Sequence, residues 1–360
     1  MKTDFLAYAE AYFDLRYQTG EIAFHTWNSS LSHIRRFGRF LRETGLRGPV
    51  PLSGVGPELL LEYRIHCLRA GYRASTIDRK LHPLRLALSR AESEGLVRPG
   101  TTALSFPSVK GKGSRTGNGF MSEENTPVRF LNDRQMKKLL SYYRGLSPGP
   151  RKDALDLFLF SFHACGLRIS DIVTLEWKHI DRGKRILSKV LVKTRERLSI
   201  PLSAPALEIL DRWKRRNPAG RFVFGQLPED FVLKDDGSLE KAIDNRNRTI
   251  RGILNAVGRK LGFPFPLGMH VARHTFAVKA LNASRLDVHL ISRLLGHSSV
   301  TITEKVYATF LLPTLTFAVR SRLSFPEFSP GNEPKTKEND DFLEKRNENQ
   351  EFYLSSPINL

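Results

Sequence analysis

The chain has 360 residues, 40% of them apolar, which is enough for ordinary globular cores and excludes a disordered chain. Its 57 Lys and Arg outweigh 37 Asp and Glu, a formal charge of +20 that points to a polyanionic partner, nucleic acid first and an anionic membrane second. Two cysteines, Cys67 and Cys165, in apolar contexts exclude a disulfide framework or a zinc site, and no apolar run is suited to a signal peptide or a membrane span, so a cytoplasmic location is expected.

Residues 1–100 read as a helical unit. Trp27, Leu31, Ile34, Phe37 and Leu41 recur at helical spacing, while Arg35, Arg39 and Arg42 fall on a different stripe. A later helix repeats the division, with Ile77, Leu81, Leu84 and Leu88 inward and Arg73 and Lys80 outside. Such stripes serve either as solvated faces or as contacts to a DNA backbone.

Residues 101–127, with "KGKGSRTGNG" at their centre, read as a flexible basic linker. A second domain is expected over 128–325, opening with Asn132 or Asp133 as helix cap before "RQMKKLLSYY". "RILSKVLVKTRERLSIPLS" alternates and is rich in β-branched residues, predicting a short sheet with a basic turn. Helices dominate again from 204, including a long amphipathic one over 239–261. Residues 326–360, with 4 basic against 8 acidic side chains, read as a disordered acidic tail. The expected fold is mainly α with a small antiparallel β-sheet: a helical domain followed by a mixed α+β domain.

The stretch "HVARHTF" places His270, Arg273 and His274 on one face of an otherwise apolar helix. Two histidines four apart could hold zinc. An arginine between them repels a cation, however, and suits a phosphate instead, because guanidinium donates in a bidentate fork. His274 reads as a packed, hydrogen-bonded core residue. Further along stand His297 in "LLGHSS" and Tyr307 in "TEKVYATF"; upstream, "ACGLRISDI" carries Arg168 in a turn after Gly166, with Ser170 as a candidate cap, and Lys193 sits in the basic turn of the sheet.

Together these motifs resemble the tyrosine recombinases, the phage-integrase family: an arginine in a "GLR-x-S-[DE]" turn, a hairpin lysine, "H-x-x-R-H-T-F-A", "LLGHSS", then tyrosine. The resemblance covers residues 128–312 and extends loosely to 1–100, which is similar to the family's core-binding domain. Ala272 stands where the family commonly has leucine, and the interval from His297 to Tyr307 is one residue longer than its commonest form.

Carried over by position, the resemblance implies that Tyr307 attacks a scissile phosphate to leave a 3′-phosphotyrosyl link and a free 5′-hydroxyl. Arg168 and Arg273 would clamp the non-bridging oxygens, and His297 would donate to the phosphate. Lys193 would protonate the leaving 5′ oxygen, with Lys189 and Arg195 competing for that role, and His270 would assist deprotonation of Tyr307. Asp171 would hold Arg168 in place. No metal or cofactor is implied. The partners implied are double-stranded DNA, a homotetramer acting through a Holliday junction, and accessory DNA-bending or directionality proteins, but no membrane. The apolar segment "LLPTLTFAVRSRLSF" would dock on a neighbouring subunit or pack on its own domain. The rival readings are type IB topoisomerase-like relaxation, a non-catalytic DNA-binding relic and an RNA-binding module.

Overall fold

In the computed structural model the chain divides into two compact units, Met1–Pro127 with Lys234–Glu240, and Val128–Leu233 with Lys241–Leu360. The structure describes residues 4–46, 48–106, 128–234, 236–282, 287–297 and 299–307.

The first unit is helical: α1 (Phe5–Gln18), α2 (Phe24–Glu43), α3 (Pro57–Arg69), α4 (Ala74–Ser93) and α5 (Thr101–Ser105). Asp4 opens α1 by accepting from the Ala7 amide, which satisfies one of the donors a helix start leaves over. The apolar stripe expected on α2 is buried as predicted at Leu31, Ile34, Phe37 and Leu41. It meets Phe5 and Phe13 of α1, Tyr63 of α3 and Ile77, Leu84 and Leu88 of α4 in one core. Gly38 lets α1 approach, since a Cβ there would lie 2.9 Å from Leu6 Cδ1. Each large side chain withdrawn from water contributes roughly 1.5–3 kcal/mol.

The first unit departs from expectation at two places. Lys80, placed on the outer stripe of α4, is only 3% exposed, with its ammonium 3.9 Å from the centre of the Tyr72 ring. The aromatic face replaces water around the charge, a long-range contact that helical spacing does not reveal. The linker expected from residue 101 begins with α5 instead, where Ser105 donates to the Val55 carbonyl and Phe106 packs against the first core. The rest of that segment, the acidic tail and the apolar stretch after Tyr307 lie outside the described residues.

The second unit contains α6 (Asp133–Arg144), α7 (Pro150–His163), α8 (Ile169–Val173), β1 (Ile180–Asp181), β2 (Ile186–Val190), β3 (Arg197–Pro201), α9 (Ala204–Arg216), α10 (Ser238–Lys260, from Lys241 onward), α11 (Met269–Asn282), α12 (Val288–Leu295) and α13 (Val300–Tyr307). Asn132 and Gln135 form a reciprocal capping box at the start of α6. The strands make an antiparallel sheet in the order β1-β2-β3, with Lys189 opposite Leu198 and Val190 opposite Arg197. The short β1 was not anticipated.

Helix α7 is buried almost along its length and packs on α11. The one carboxylate in its buried stretch, Asp156, accepts from Trp213 Nε1 at 2.9 Å, from Arg212 Nη2 at 2.9 Å and from the Tyr143 hydroxyl, tying α6, α7 and α9 together. No helix among the described residues is long and apolar enough to cross a membrane.

Candidate active site

The site is assembled where three chain reversals of the second unit meet. After α7, Cys165 and Gly166 both adopt left-handed conformations, φ 53° and 73°. At Gly166 a side chain is excluded twice, by its φ and because a Cβ would lie 3.0 Å from Leu295 and 3.1 Å from Arg273. The reversal delivers Arg168 to the N-cap position of α8; Ser170 lies within the helix and is not its cap. Arg168 donates from Nη2 to the Gly296 carbonyl at 3.1 Å. Its Nη1 is buried without a hydrogen-bond partner among the described residues. Burial pushes its pKa down, partly opposed by Asp171.

Arg273, on α11, is 6% exposed. It donates from Nη1 to the Gly166 carbonyl at 2.7 Å and from Nη2 to the Leu295 carbonyl at 2.8 Å. Burial and the nearby Arg168 push its pKa down to about 10, which leaves it cationic at neutral pH. Both arginines thus donate to carbonyls at the C-terminal end of α12, where the helix dipole favours positive charge.

Gly296 closes α12 in the left-handed conformation at φ 61°, and a Cβ there would fall 2.5 Å from Leu191. His297 follows directly. Its Nδ1 lies 2.7 Å from Thr303 Oγ1 of α13, and burial together with Arg273 and Arg168 lowers its pKa to about 4. One turn beyond Thr303, Tyr307 is 1% exposed, and its hydroxyl lies 2.7 Å from His274 Nδ1. Burial pushes the phenol up to about 12 and the His274 imidazole down to about 4, so both are neutral at physiological pH. His270 stands one turn before His274, ring centres 6.2 Å apart, and is lowered by desolvation, Arg273, Lys193 and Arg168.

The β2–β3 turn carries Lys193, exposed and close enough to depress both His270 and His297. Its two competitors are placed differently. Lys189 is 6% exposed and donates to the Thr174 carbonyl at 2.8 Å; Arg195 takes a left-handed conformation, φ 59°. Asp171, fully buried, accepts from the Val192 amide at 2.8 Å, next to Lys193. Its hydrogen bond therefore goes to the hairpin turn and not to Arg168, which it influences only through its charge.

Arg168, Lys193, His270, Arg273, His297, Tyr307 and Asp171 thus fall in one unit around one point. Arg35, Arg39, Arg42 and Arg73 lie exposed on the other unit, with Arg35 donating to Glu10 at 3.2 Å. His274 and Thr303, the partners of Tyr307 and His297, were not singled out as site residues. Thr303 preceding Tyr307 by one helical turn was the available signal.

The phage integrase family model matches residues 129–311. The chain belongs to the phage integrase family, the tyrosine recombinases. It is 25% identical to tyrosine recombinase XerD of Pseudomonas aeruginosa over 288 residues, covering 79% of this chain and 86% of that one. It is 28% identical to XerC of Ralstonia pickettii over 159 residues, a match spanning 40% of this chain and 45% of that relative's length. Among solved structures, the Tn1549 transposon integrase in complex with transposon right end DNA superposes with a TM-score of 0.66 at 17% identity, covering 89% of this chain and all of that one. A lambda integrase dimer bound to a core site superposes at 0.55, also at 17% identity, covering 92% and 80%. These two share the fold.

Proposed function

We propose that this recombinase cuts and rejoins double-stranded DNA at specific sites through a 3′-phosphotyrosyl intermediate, with strand exchange passing through a Holliday junction. The observation that carries the reading is the arginine pair: two guanidinium groups held on backbone carbonyls beside Tyr307, with Arg168 Nη1 buried and without a partner among the described residues. A buried donor without a partner costs about 1–3 kcal/mol, a cost that an anionic oxygen arriving at the site removes.

The chemistry follows from the groups present. Tyr307 Oη bonds to phosphorus as the bond to the 5′ oxygen breaks. The phenolic proton passes to His270, and Lys193 gives a proton to the departing oxygen. Negative charge gathers on the non-bridging oxygens, where Arg168, Arg273 and His297 donate. Because the covalent link conserves the phosphodiester's bond energy, a second strand's 5′-hydroxyl reverses the step without ATP. With a phenol near 12 hydrogen-bonded to an imidazole near 4, His274 holds the nucleophile protonated at rest, and attack exchanges that contact for the phosphate.

Recombination in this form requires four protomers on two duplexes, and the basic faces of the first unit suit DNA-backbone contact. The test is incubation of the protein with a plasmid bearing its native flanking DNA, followed by a search for SDS-resistant adducts. Adducts from the wild type and none from Tyr307→Phe are expected. Equal adduct formation by Tyr307→Phe would sink the assignment.

A further inference from the structure

Resting on that reading of the site, we propose that Thr303 sets the tautomer of His297. The ring then presents an N–H from Nε2 to the DNA phosphate, and the helix that carries the nucleophile also readies the phosphate donor.

A neutral imidazole has one proton for two nitrogens, and the partner of one nitrogen decides the state of the other. His297 is held by two contacts. Its backbone amide donates to the Ser292 carbonyl at 3.0 Å, fixing it behind Gly296, and its Nδ1 faces Thr303 Oγ1 at 2.7 Å. Thr303 is fully buried, so its hydroxyl has little access to water.

The direction of that hydrogen bond follows from where the threonine proton goes. A threonine inside a helix commonly donates to the carbonyl four residues back. Thr249 does so to Asn245 at 3.2 Å, and Thr275 to Val271 at 2.6 Å. Among the described residues Thr303 makes no such bond, so its proton is free to be donated to Nδ1. Nε2 then keeps the ring proton. The opposite arrangement would turn a lone pair toward anionic oxygens, which repel it.

Thr303 and Tyr307 are four residues apart and share one face of α13, which packs on α12. A shift of α13 therefore withdraws the nucleophile and releases the His297 ring in the same movement. Thr303 is a positioning residue: it touches no DNA atom and acts through His297.

The test combines a spectrum with kinetics. In 15N-labelled full-length protein, long-range imidazole correlations report the tautomer, with the His297 signal assigned by its loss in His297→Gln. The wild type and Thr303→Ser are expected to show the Nε2–H pattern; Thr303→Val, isosteric but without the hydroxyl, is expected to show a mixture. Cleavage by Thr303→Val should fall by about tenfold to a hundredfold, the range seen when a group that orients a metal-ligating histidine is lost, with DNA affinity unchanged. Thr303→Ser should restore the rate, and in a His297→Ala background Thr303→Val should add nothing. Thr303→Ala serves if the valine variant does not fold.

A wild-type Nδ1–H pattern overturns the proposal. So does wild-type cleavage by Thr303→Val, or an equal loss in the His297→Ala background. Absence of adducts from the wild type, with the Nε2–H pattern intact, refutes the strand-transfer reading and removes the phosphate as recipient, while leaving the hold of Thr303 on the ring established.

Discussion

The two units differ in how much charge they bury. The first has a core in which Phe5, Phe37, Phe40 and Tyr63 pack at aromatic contact distances, and Lys80, the one charged side chain buried among its described residues, is covered by Tyr72. The second buries Arg273, Asp171, Lys189 and Asp156 and, among the described residues, leaves Arg168 Nη1 and Asp171 Oδ2 without hydrogen bonds. Hiding apolar rings adds stability, whereas the second unit gives some up to hold charges ready.

Replacing Arg273 tests it most severely. Arg273→Ala should lower cleavage on the order of 10²–10³-fold, the scale of losing a donor to transition-state charge. It should also destabilise the second unit, because the Gly166 and Leu295 carbonyls lose their partner at about 1–3 kcal/mol each. Adduct kinetics and denaturant titration read the two effects. Phe37→Ala in the first unit should cost about 3–5 kcal/mol of stability through the cavity it leaves, without slowing the cleavage step of DNA already bound.

Asp171→Asn keeps the volume and removes the charge that holds the Val192 amide. Cleavage should fall by about tenfold, in line with a hydrogen bond to a charged group worth roughly 1.5–3 kcal/mol. A substrate with sulfur at the 5′ bridging position leaves without protonation, so the defect should disappear there; if it persists, Asp171 does not act through Lys193.

Acidification should unfold the second unit before the first reaches its own limit. His274, His297 and His163 are each held near pH 4 against an ordinary 6.5, chiefly by burial. The unfolded chain therefore binds more protons between those values, so stability falls as pH drops from about 6.5 toward 4. His33 of the first unit, also near 4, makes the contrast one of degree. Unit-resolved hydrogen exchange across that range measures it. The smallest effect is expected at the surface of the first unit. Arg39→Ala should reduce the salt dependence of DNA binding by about one phosphate contact, while Lys80→Ala should leave the salt slope unchanged and lower stability instead.

What could be read from sequence was whatever depends on neighbours along the chain. The inward stripe of α2, the capping box at Asn132, the hairpin around Lys193 and the helix spanning 239–261 all follow from spacing and local chemistry. Family motifs picked out six residues that the fold gathers around one point. The contacts that escaped join distant positions: Tyr72 over Lys80, Asp171 to the Val192 amide, His274 to Tyr307 and Thr303 to His297. Helical period separates inside from outside, but it cannot say which polar group waits on the inside.

The acceptors that hold the two arginines are the carbonyls of Gly166, Leu295 and Gly296, all main chain. Every amino acid supplies a carbonyl, so no substitution of an acceptor's side chain can delete it; only a displaced backbone can. The clamp is therefore insensitive to drift in the identity of its supports and sensitive to their path, with the two left-handed glycines as its points of fragility. Any attempt to graft this centre onto another scaffold would have to transplant loop trajectories before it transplanted residues.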